Sequence, residues 1–294
     1  MVRKIIFVFI LLVVLVVIFL YSEKNTKIIF VGDMFFDRYI RQVMDKKGGD
    51  FVFSCIGNVL KEADLVVGNL EGPITTNPSK SLYSKEGSPE NFVFTFPTFI
   101  ASLLKDHNIK IVNLGNNHIS NFGREGVLST HKYLDQSGIG YFGGILGDEP
   151  IYRTTLGGKK VSFVSYNQFG GSSPEEVAKN ISKETKDGRM VIVYAHWGEE
   201  YSSPTLFMKQ TARIFSQAGA RLVVGSHPHV VLPSEKIEDT LVYYSLGNFI
   251  FDQYWEKSVS TGLILELDLK GDRLDVKEHQ VSLLQNGQTC IEKI

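Results

Sequence analysis

Short apolar runs that each close on a polar residue recur along this chain. They are KIIFVGD (27–33), DLVVGNLE (64–71), IKIVNLGNNH (109–118), MVIVYAHWG (190–198) and RLVVGSHPH (221–229). Continuous apolar runs of this length, rich in β-branched residues and bounded by Gly or Asn, read as buried strands. Helical spacing of apolar positions predicts helices over 37–46, 51–62, 96–108, 123–138, 173–184 and 203–218. IGYFG (139–143) reads as a short strand, and 75–91, polar with two prolines, as a surface loop. Strand–helix alternation of this kind makes parallel sheet. Residues 151–167 predict a hairpin around Gly157-Gly158. Strands then dominate at 240–246, 260–270 and 272–283, which predicts a second, more antiparallel sheet in the C-terminal part. The expected fold class is α/β: two sheets packed together and flanked by helices.

The first residues follow a different rule. After Arg3 and Lys4 comes Ile5–Tyr21, a run without charge and almost wholly apolar. Its length is near the lower limit for a helix that crosses a bilayer. Phe19, Leu20 and Tyr21 are bulky, and neither a small-residue cleavage site nor a lipid-acceptor Cys follows. An uncleaved signal-anchor is therefore expected over a cleaved signal peptide. Arg3 and Lys4 place the N-terminus in the cytoplasm. The expected division is 1–24, cytoplasmic tip and transmembrane helix, and 25–294, one extracytoplasmic domain. The localisation expected is the cell membrane, single-pass.

Composition narrows the rest. The chain has 294 residues, 43% hydrophobic and 21% charged, with a formal net charge of -1. That supports a folded core and excludes a disordered chain. No basic block or stripe is present, so nucleic acid is not an expected partner. The two cysteines are Cys55 and Cys290. Cys55 lies in an apolar helical pattern and reads as a small buried hydrophobe rather than half of a disulfide, although an oxidising compartment would permit the pair.

Asp33, Asn69, Glu71, Asn117, His118, His196, His227 and His229 all follow a short apolar strand. In open α/β sheets the carboxyl ends of the strands share one edge, and ligands bind there. Several strand ends would thus deliver carboxylates, an amide oxygen and imidazoles to one crevice. Mixed nitrogen and oxygen donors suit Mn, Fe or Zn better than Ca or Mg. Two such ions close together can clamp the attacking and leaving oxygens of a displacement. Alone, Gly32-Asp33 is a common turn and His196 beside Trp197 a packing residue; the HPH of 227–229 and the GNNH of 115–118 are stronger signals. His107, His131 and His279 read as surface residues.

VGDMFFDR (31–38), NLEGPIT (69–75), NLGNNHISNFG (113–123), AHWGEEY (195–201), GSHPHVV (225–231) and YSLGNFIFDQ (244–253) resemble, in order, the signatures of the CapA family. These are capsule or poly-γ-glutamate biosynthesis proteins, related to the calcineurin-like metallophosphoesterases. The resemblance covers about residues 27–255. It implies a four-layer α-β-β-α sandwich and a role in assembly, attachment or release of an anionic surface polymer. It also implies a site. Asp33 and His229 would hold one metal; Glu71, with Asn69, would bridge; Asn117, His196 and His227 would hold the other. His118 would protonate the leaving group, and Arg38 with the Trp197–Glu200 turn would line the substrate side. The chain departs from the metallophosphoesterase pattern at Phe35, where a His is usual, and at Asn121, where an Asp is common.

Two function classes follow. One is a hydrolase with two divalent transition metals, acting on a phosphoester or on an amide of γ-linked polyglutamate, with His118 as general acid. The other is a non-catalytic surface component that binds a polyanion or membrane polymer-synthase subunits through a degenerate metal site. The retained ligand set favours the first, and Phe35 and Asn121 the second.

Overall fold

The computed structural model describes residues 25–292 except Leu146 and Asp272. The expected anchor over 1–24 lies outside the described residues. Among the described residues no helix is long and apolar enough to cross a membrane.

The fold is mixed α/β, with two sheets and six helices among the described residues. The first half supplies β1 (Thr26–Met34), α1 (Arg38–Lys47), α2 (Gly57–Lys61), β2 (Leu65–Leu70), α3 (Ile100–Asp106), β3 (Ile109–Asn113), α4 (Gly123–Ser137) and β4 (Gly140–Phe142). Next come β5 (Ile151–Leu156), β6 (Lys159–Asn167), α5 (Pro174–Lys186), β7 (Met190–His196), α6 (Leu206–Gln217) and β8 (Ala220–Ser226). The remainder is strand: β9 (Val231–Ile237), β10 (Thr240–Leu246), β11 (Asn248–Ile250), β12 (Thr261–Lys270), β13 (Arg273–Leu283) and β14 (Thr289–Ile291).

Strands β1 to β4 pair in parallel, as the alternation predicts. Of the C-terminal strands expected in a second sheet, 240–246 joins one as β10, whereas β12 and β13 extend the first sheet, in the order β14-β13-β12-β1-β2-β3-β4, with β11 also paired to β1. The second sheet comes from the middle of the chain, in the order β5-β6-β7-β8-β10-β9, parallel at its centre and antiparallel at both edges. Strand β1 therefore has partners from both ends of the chain.

Three apolar clusters set the layers. Ile28, Phe30 and Val67 of the first sheet meet Phe163, Ile192 and Val224 of the second. The other face of the first sheet packs Ile40, Leu60, Leu104 and Val127 from α1 to α4. The other face of the second packs Val177 and Ile181 of α5 and Met208, Ala212 and Phe215 of α6. The helices present spaced apolar residues for this purpose: α1 buries Ile40, Val43 and Met44, one face of a 3.6-residue period. Caps define their ends. Ser173 accepts from Glu176 N–H while Glu176 reaches back to Ser173 N–H ahead of α5, and left-handed Gly138 closes α4.

Three further expectations are corrected. The segment 51–62 is no continuous helix: a 3₁₀ turn at Gly49–Phe53 gives way to α2 at Gly57–Lys61. Gly57 is a weak helix former, and it abuts the His107 ring, where a Cβ would stand 3.2 Å from Nδ1. His107 itself is buried, stacked on Phe53 at 4.2 Å with Nε2 against Asp50. Cys55 and Cys290 form a disulfide. Strand β14 runs beside β13 and brings Cys290 to the 3₁₀–α2 junction, a proximity no local pattern could show.

Candidate metal centre

The donors gather where the strand ends of both sheets meet. Asp33 closes β1, Glu71 follows β2, and Asn117 and His118 follow β3; all belong to the first sheet. His196 ends β7, and His227 and His229 occupy the turn between β8 and β9 in the second. Gly32 permits the junction. Its missing Cβ would stand 1.9 Å from the Gly247 carbonyl, and Asp33 N–H donates to that same oxygen at 3.1 Å. Only a glycine admits this approach, and it aligns Asp33 with Asn248 of β11. His227 and His229 both hold positive φ, 94° and 58°, uncommon for residues with a Cβ. Strain of that kind persists where the surroundings over-determine it. Here Asp33 accepts from His227 N–H at 3.1 Å, and Asn248 fastens His229.

Two groups of donors emerge, each with its ligand atoms within 4.8 Å of one another: Asp33, Glu71 and His229, and Glu71, His196 and His227. Glu71 is common to both. Asn117 Oδ1 lies 2.8 Å from His196 Nε2, beside the second group. A third group joins Glu200 to His227 and His229. Asp33, Glu71 and His196 are fully buried. Buried polar atoms nearly always find hydrogen-bond partners, yet among the described residues Glu71 Oε1 and His227 Nδ1 have no hydrogen bond, and His229 Nε2 stands 3.5 Å from Glu71 Oε1.

The electrostatics agree. Burial pushes the Asp33 carboxyl up, but hydrogen bonding to His229, the charges of His229 and His196, and the His227 N–H outweigh it and hold the group well below the usual range. Burial and the neighbouring Asp33 push Glu71 well above its usual range. Burial, then His227, drives His196 far down, and burial, then His229, takes His227 to about 3. Two crowded carboxyls beside His196 and His227, whose protonation burial opposes, with an oxygen and a nitrogen that lack hydrogen bonds, are what a cation would satisfy, because imidazole binds metal in its neutral form. The residues fit a metal.

Asn69 takes a different part from the expected bridging one. Its Nδ2 donates to Asp33 Oδ1 at 2.8 Å and to Glu71 Oε2 at 3.4 Å. Its Oδ1 accepts from Asn113 at 3.1 Å and Asn116 at 3.2 Å. It holds the carboxylates in place, and its own oxygen is already engaged. Sequence reasoning also missed Asn248 and Ser226. Asn248 Oδ1 lies 2.9 Å from His229 Nδ1, and Ser226 Oγ 3.0 Å from His196 Nδ1. Each fixes the ring of a candidate ligand, the role outer partners play at metal sites. The glycine-flanked Asn of SLGNF was the available signal for Asn248.

His118 sits at the rim, its ring 4.1 Å from that of Phe94. Nδ1 is 3.2 Å from Asn121 Oδ1. Burial lowers its pKa to about 4, although hydrogen bonds to Asn121 and the Phe92 backbone oppose this. Phe35, the departure from the metallophosphoesterase pattern, stacks on Phe251 and meets Phe94 edge-on, both at 4.7 Å. Arg38 lies over the Phe35 ring at 4.6 Å and forks onto Asp252, with Nε at 3.0 Å. Phe251 in turn meets the His229 ring at 4.8 Å, so this apolar wall borders the donor cluster.

Comparison with known proteins supplies the lineage. The model of the family described as "Bacterial capsule synthesis protein PGA_cap" matches residues 27–253. The "PGA biosynthesis protein CapA" of Bacillus subtilis (strain 168) is 33% identical over 266 residues, covering 83% of this chain and 68% of that one. The "Capsule biosynthesis protein CapA" of Bacillus anthracis is 29% identical over 265 residues, covering 83% of this chain and 64% of that one. The chain thus spans about two thirds of the length of each relative. The family match runs from the first strand through the Arg38 partner Asp252 and takes in every candidate ligand, so this chain belongs to the bacterial capsule synthesis protein PGA_cap family.

Proposed function

We propose that this protein is a membrane-anchored, extracytoplasmic hydrolase of the metallophosphoesterase type that serves cell-surface polymer assembly, attachment or release. The observation that carries the reading is the double donor cluster around Glu71, with orphaned buried Glu71 Oε1 and His227 Nδ1. The helix–sheet–sheet–helix layering suits that fold type. The relatives' names, PGA and capsule biosynthesis, support the setting. The Cys55–Cys290 disulfide supports an oxidising compartment. The Ile5–Tyr21 run supports an anchor.

Asp33 and His229 would hold one ion, Asn117, His196 and His227 the other, and Glu71 would bridge. Mn, Fe or Zn there would polarise a phosphoryl or carbonyl oxygen and lower the pKa of water. The protein's own groups do the rest. Asn69, Ser226 and Asn248 fix the donors, Phe251 and Phe169 pack against the rings of His229 and His227, and His118 at the rim would pass a proton to the leaving group. Substrates in keeping with this are a phosphoester or an amide of γ-linked polyglutamate. Membrane polymer-synthase subunits are the partners such a setting suggests.

Phe35 and Asn121 support a second reading, a non-catalytic component that binds a polyanion or a synthase through a degenerate site. The two separate by experiment. Purified protein is assayed for metal content and for hydrolysis of alkyl and aryl phosphoesters and γ-linked polyglutamate with Mn, Fe and Zn. Two ions per chain and turnover on any substrate support the hydrolase; metal-free, inert protein supports the binder. N-terminal sequencing of the mature protein that begins after Tyr21 would remove the anchor.

A further inference from the structure

A cleft of about 560 Å³ opens beside the donor cluster. That volume lies within the roughly 300–1,000 Å³ typical of small-molecule sites. The two features are continuous: Glu200, whose carboxylate stands with His227 and His229, lines the cleft, as does Arg38.

Its walls are unusual for this surface. Tyr39, Tyr83, Phe92, Tyr201 and Trp255 line it, and all five are exposed. Tyr83 is 80% exposed and Trp255 58%, so large ring faces are left in water at one place. Clustered exposed apolar area marks a binding surface far more often than scattered residues do. The rings are held: Tyr201 meets Trp255 edge-on at 5.7 Å, and Tyr39 meets Tyr254 edge-on at 6.2 Å. Tyr201 is itself fixed by Gln253, whose Nε2 donates to its hydroxyl at 3.0 Å. Between the rings stand uncharged polar side chains, among them Gln42, Ser84 and Asn91.

Charge decides the occupant. Among the described residues Arg38 is the one cation in the lining, and its guanidinium is already forked onto Asp252. Glu86 and Glu200 remain, so the cleft has an acidic excess. A polyanion laid along it would meet like charge in a partly desolvated groove and would be opposed. An uncharged, polyhydroxylated chain meets no such barrier. The C–H face of a sugar ring carries slight positive charge and suits the negative face of Tyr or Trp. Its hydroxyls suit amides, hydroxyls and carboxylates, which together donate and accept.

We propose that this cleft is a subsite for an uncharged glycan chain, which presents a bond to the adjacent metal cluster. The assignment rests on the hydrolase reading for what happens at the cluster, but the binding stands apart from it. An anionic polymer would then be handled at its junction with a neutral glycan rather than along its length.

Tryptophan fluorescence tests this directly, because the other tryptophan, Trp197, is fully buried and Trp255 is not. Full-length protein in neutral detergent is titrated with an uncharged hexose tetramer, an uncharged N-acetylhexosamine tetramer, a glutamate oligomer and a lysine oligomer. Saturable quenching by a neutral tetramer, insensitive to salt, is expected, with Tyr83→Ser weakening it at least 10-fold. Calorimetry on Trp255→Ala should show the same loss without relying on the fluorophore. No saturable response to either neutral tetramer overturns the proposal. So does an equal or tighter response to either charged oligomer, or full binding by both variants. Metal content and hydrolysis, measured on the same sample, keep the two readings separate: glycan binding by metal-free, inert protein removes the hydrolase and leaves the subsite. Metal-dependent turnover without glycan binding does the reverse.

Discussion

Asn121 Oδ1 receives the Phe94 N–H at 2.8 Å, so the amide oxygen, not the nitrogen, faces His118. A carbonyl oxygen only accepts, so His118 Nδ1 must donate to it. The neutral ring then keeps its proton on Nδ1, and an Asp at position 121 would have drawn a second one. A general acid matters most for basic leaving groups. If His118 serves as one, His118→Asn lowers turnover by ~100-fold or more on an alkyl phosphoester and little on a nitrophenyl ester, with metal content unchanged. An equal defect on both esters assigns His118 to positioning. Asn248 provides a second test. It holds His229 Nδ1 at 2.9 Å while its own amide donates to Gln253 and to the Val259 carbonyl. Asn248→Ala should weaken metal affinity ~10–100-fold, as loss of such outer partners does. Competition against a chromogenic chelator reads this, and wild-type affinity would strip Asn248 of the role. At this scale the sequence was readable where residue type dictates chemistry. Asp33, Glu71, His196, His227 and His229 stood out as candidates because few strand ends carry such donors, and the structure brings them together. Asn69 and Asn248 were misjudged or missed because an amide donates and accepts equally well. Only its neighbours decide which end faces a ligand.

Strand β12 alternates half-buried and buried positions at its start and reads as a strand from its residues alone. Nothing in that pattern names its neighbour. It pairs with β1 across most of the chain, Thr26 opposite Leu269, which places β12 and β13 in the first sheet, while β10 joins the second. Strand β9 escaped notice for another reason. VLPSEKI is mostly exposed and carries Pro233, as suits the edge strand that it is. The helices were the more legible elements, because caps and 3.6-residue spacing are local. Residues 51–62 were the exception, where the disulfide and the His107 contact override local propensity. The disulfide joins residues 235 apart in sequence and ties the last described strand to the segment after α1. Cross-links over long loops restrict the unfolded chain most. Cys290→Ser should therefore lower unfolding free energy by about 2–4 kcal/mol, read by denaturant titration without reductant. Reductant should bring wild type to the level of the variant. Two titratable thiols in denatured, unreduced wild type would show that the pair does not form.

The donor cluster draws on both sheets, and this relation belongs to the molecule as a whole. Asp33, Glu71 and Asn117 come from the ends of the first sheet's strands, and His196, His227 and His229 from the second. The sequence showed that such strand ends exist. It could not show that the carboxyl edges of two separate sheets face one another, because that depends on the packing of Phe30 and Val67 against Phe163 and Val224. An ion seated there would bind the folded chain and not the unfolded one. It would also add to the apolar packing and the Tyr194–Val31 and Ser165–Asn113 hydrogen bonds that join the two sheets. Without it, Asp33 and Glu71 crowd one buried site, and burial and Asp33 together push the Glu71 carboxyl well above its usual range. A ligand that binds only the native state stabilises it by about 2.7 kcal/mol at 100 times its Kd. Removing metal with a chelator should thus lower the melting temperature by several degrees, and adding back Mn or Zn should restore it. Glu71→Ala and His227→Ala should abolish the shift and the metal content together, since each removes a donor from a three-residue group. The variants also separate metal loss from simple damage. Glu71→Ala relieves the crowding of two buried carboxyls, so without metal it should melt no lower than chelated wild type, whereas damage to the core would lower it further. If wild type carries no metal and chelator leaves its melting unchanged, the cluster is a polar network of the interface rather than a metal centre.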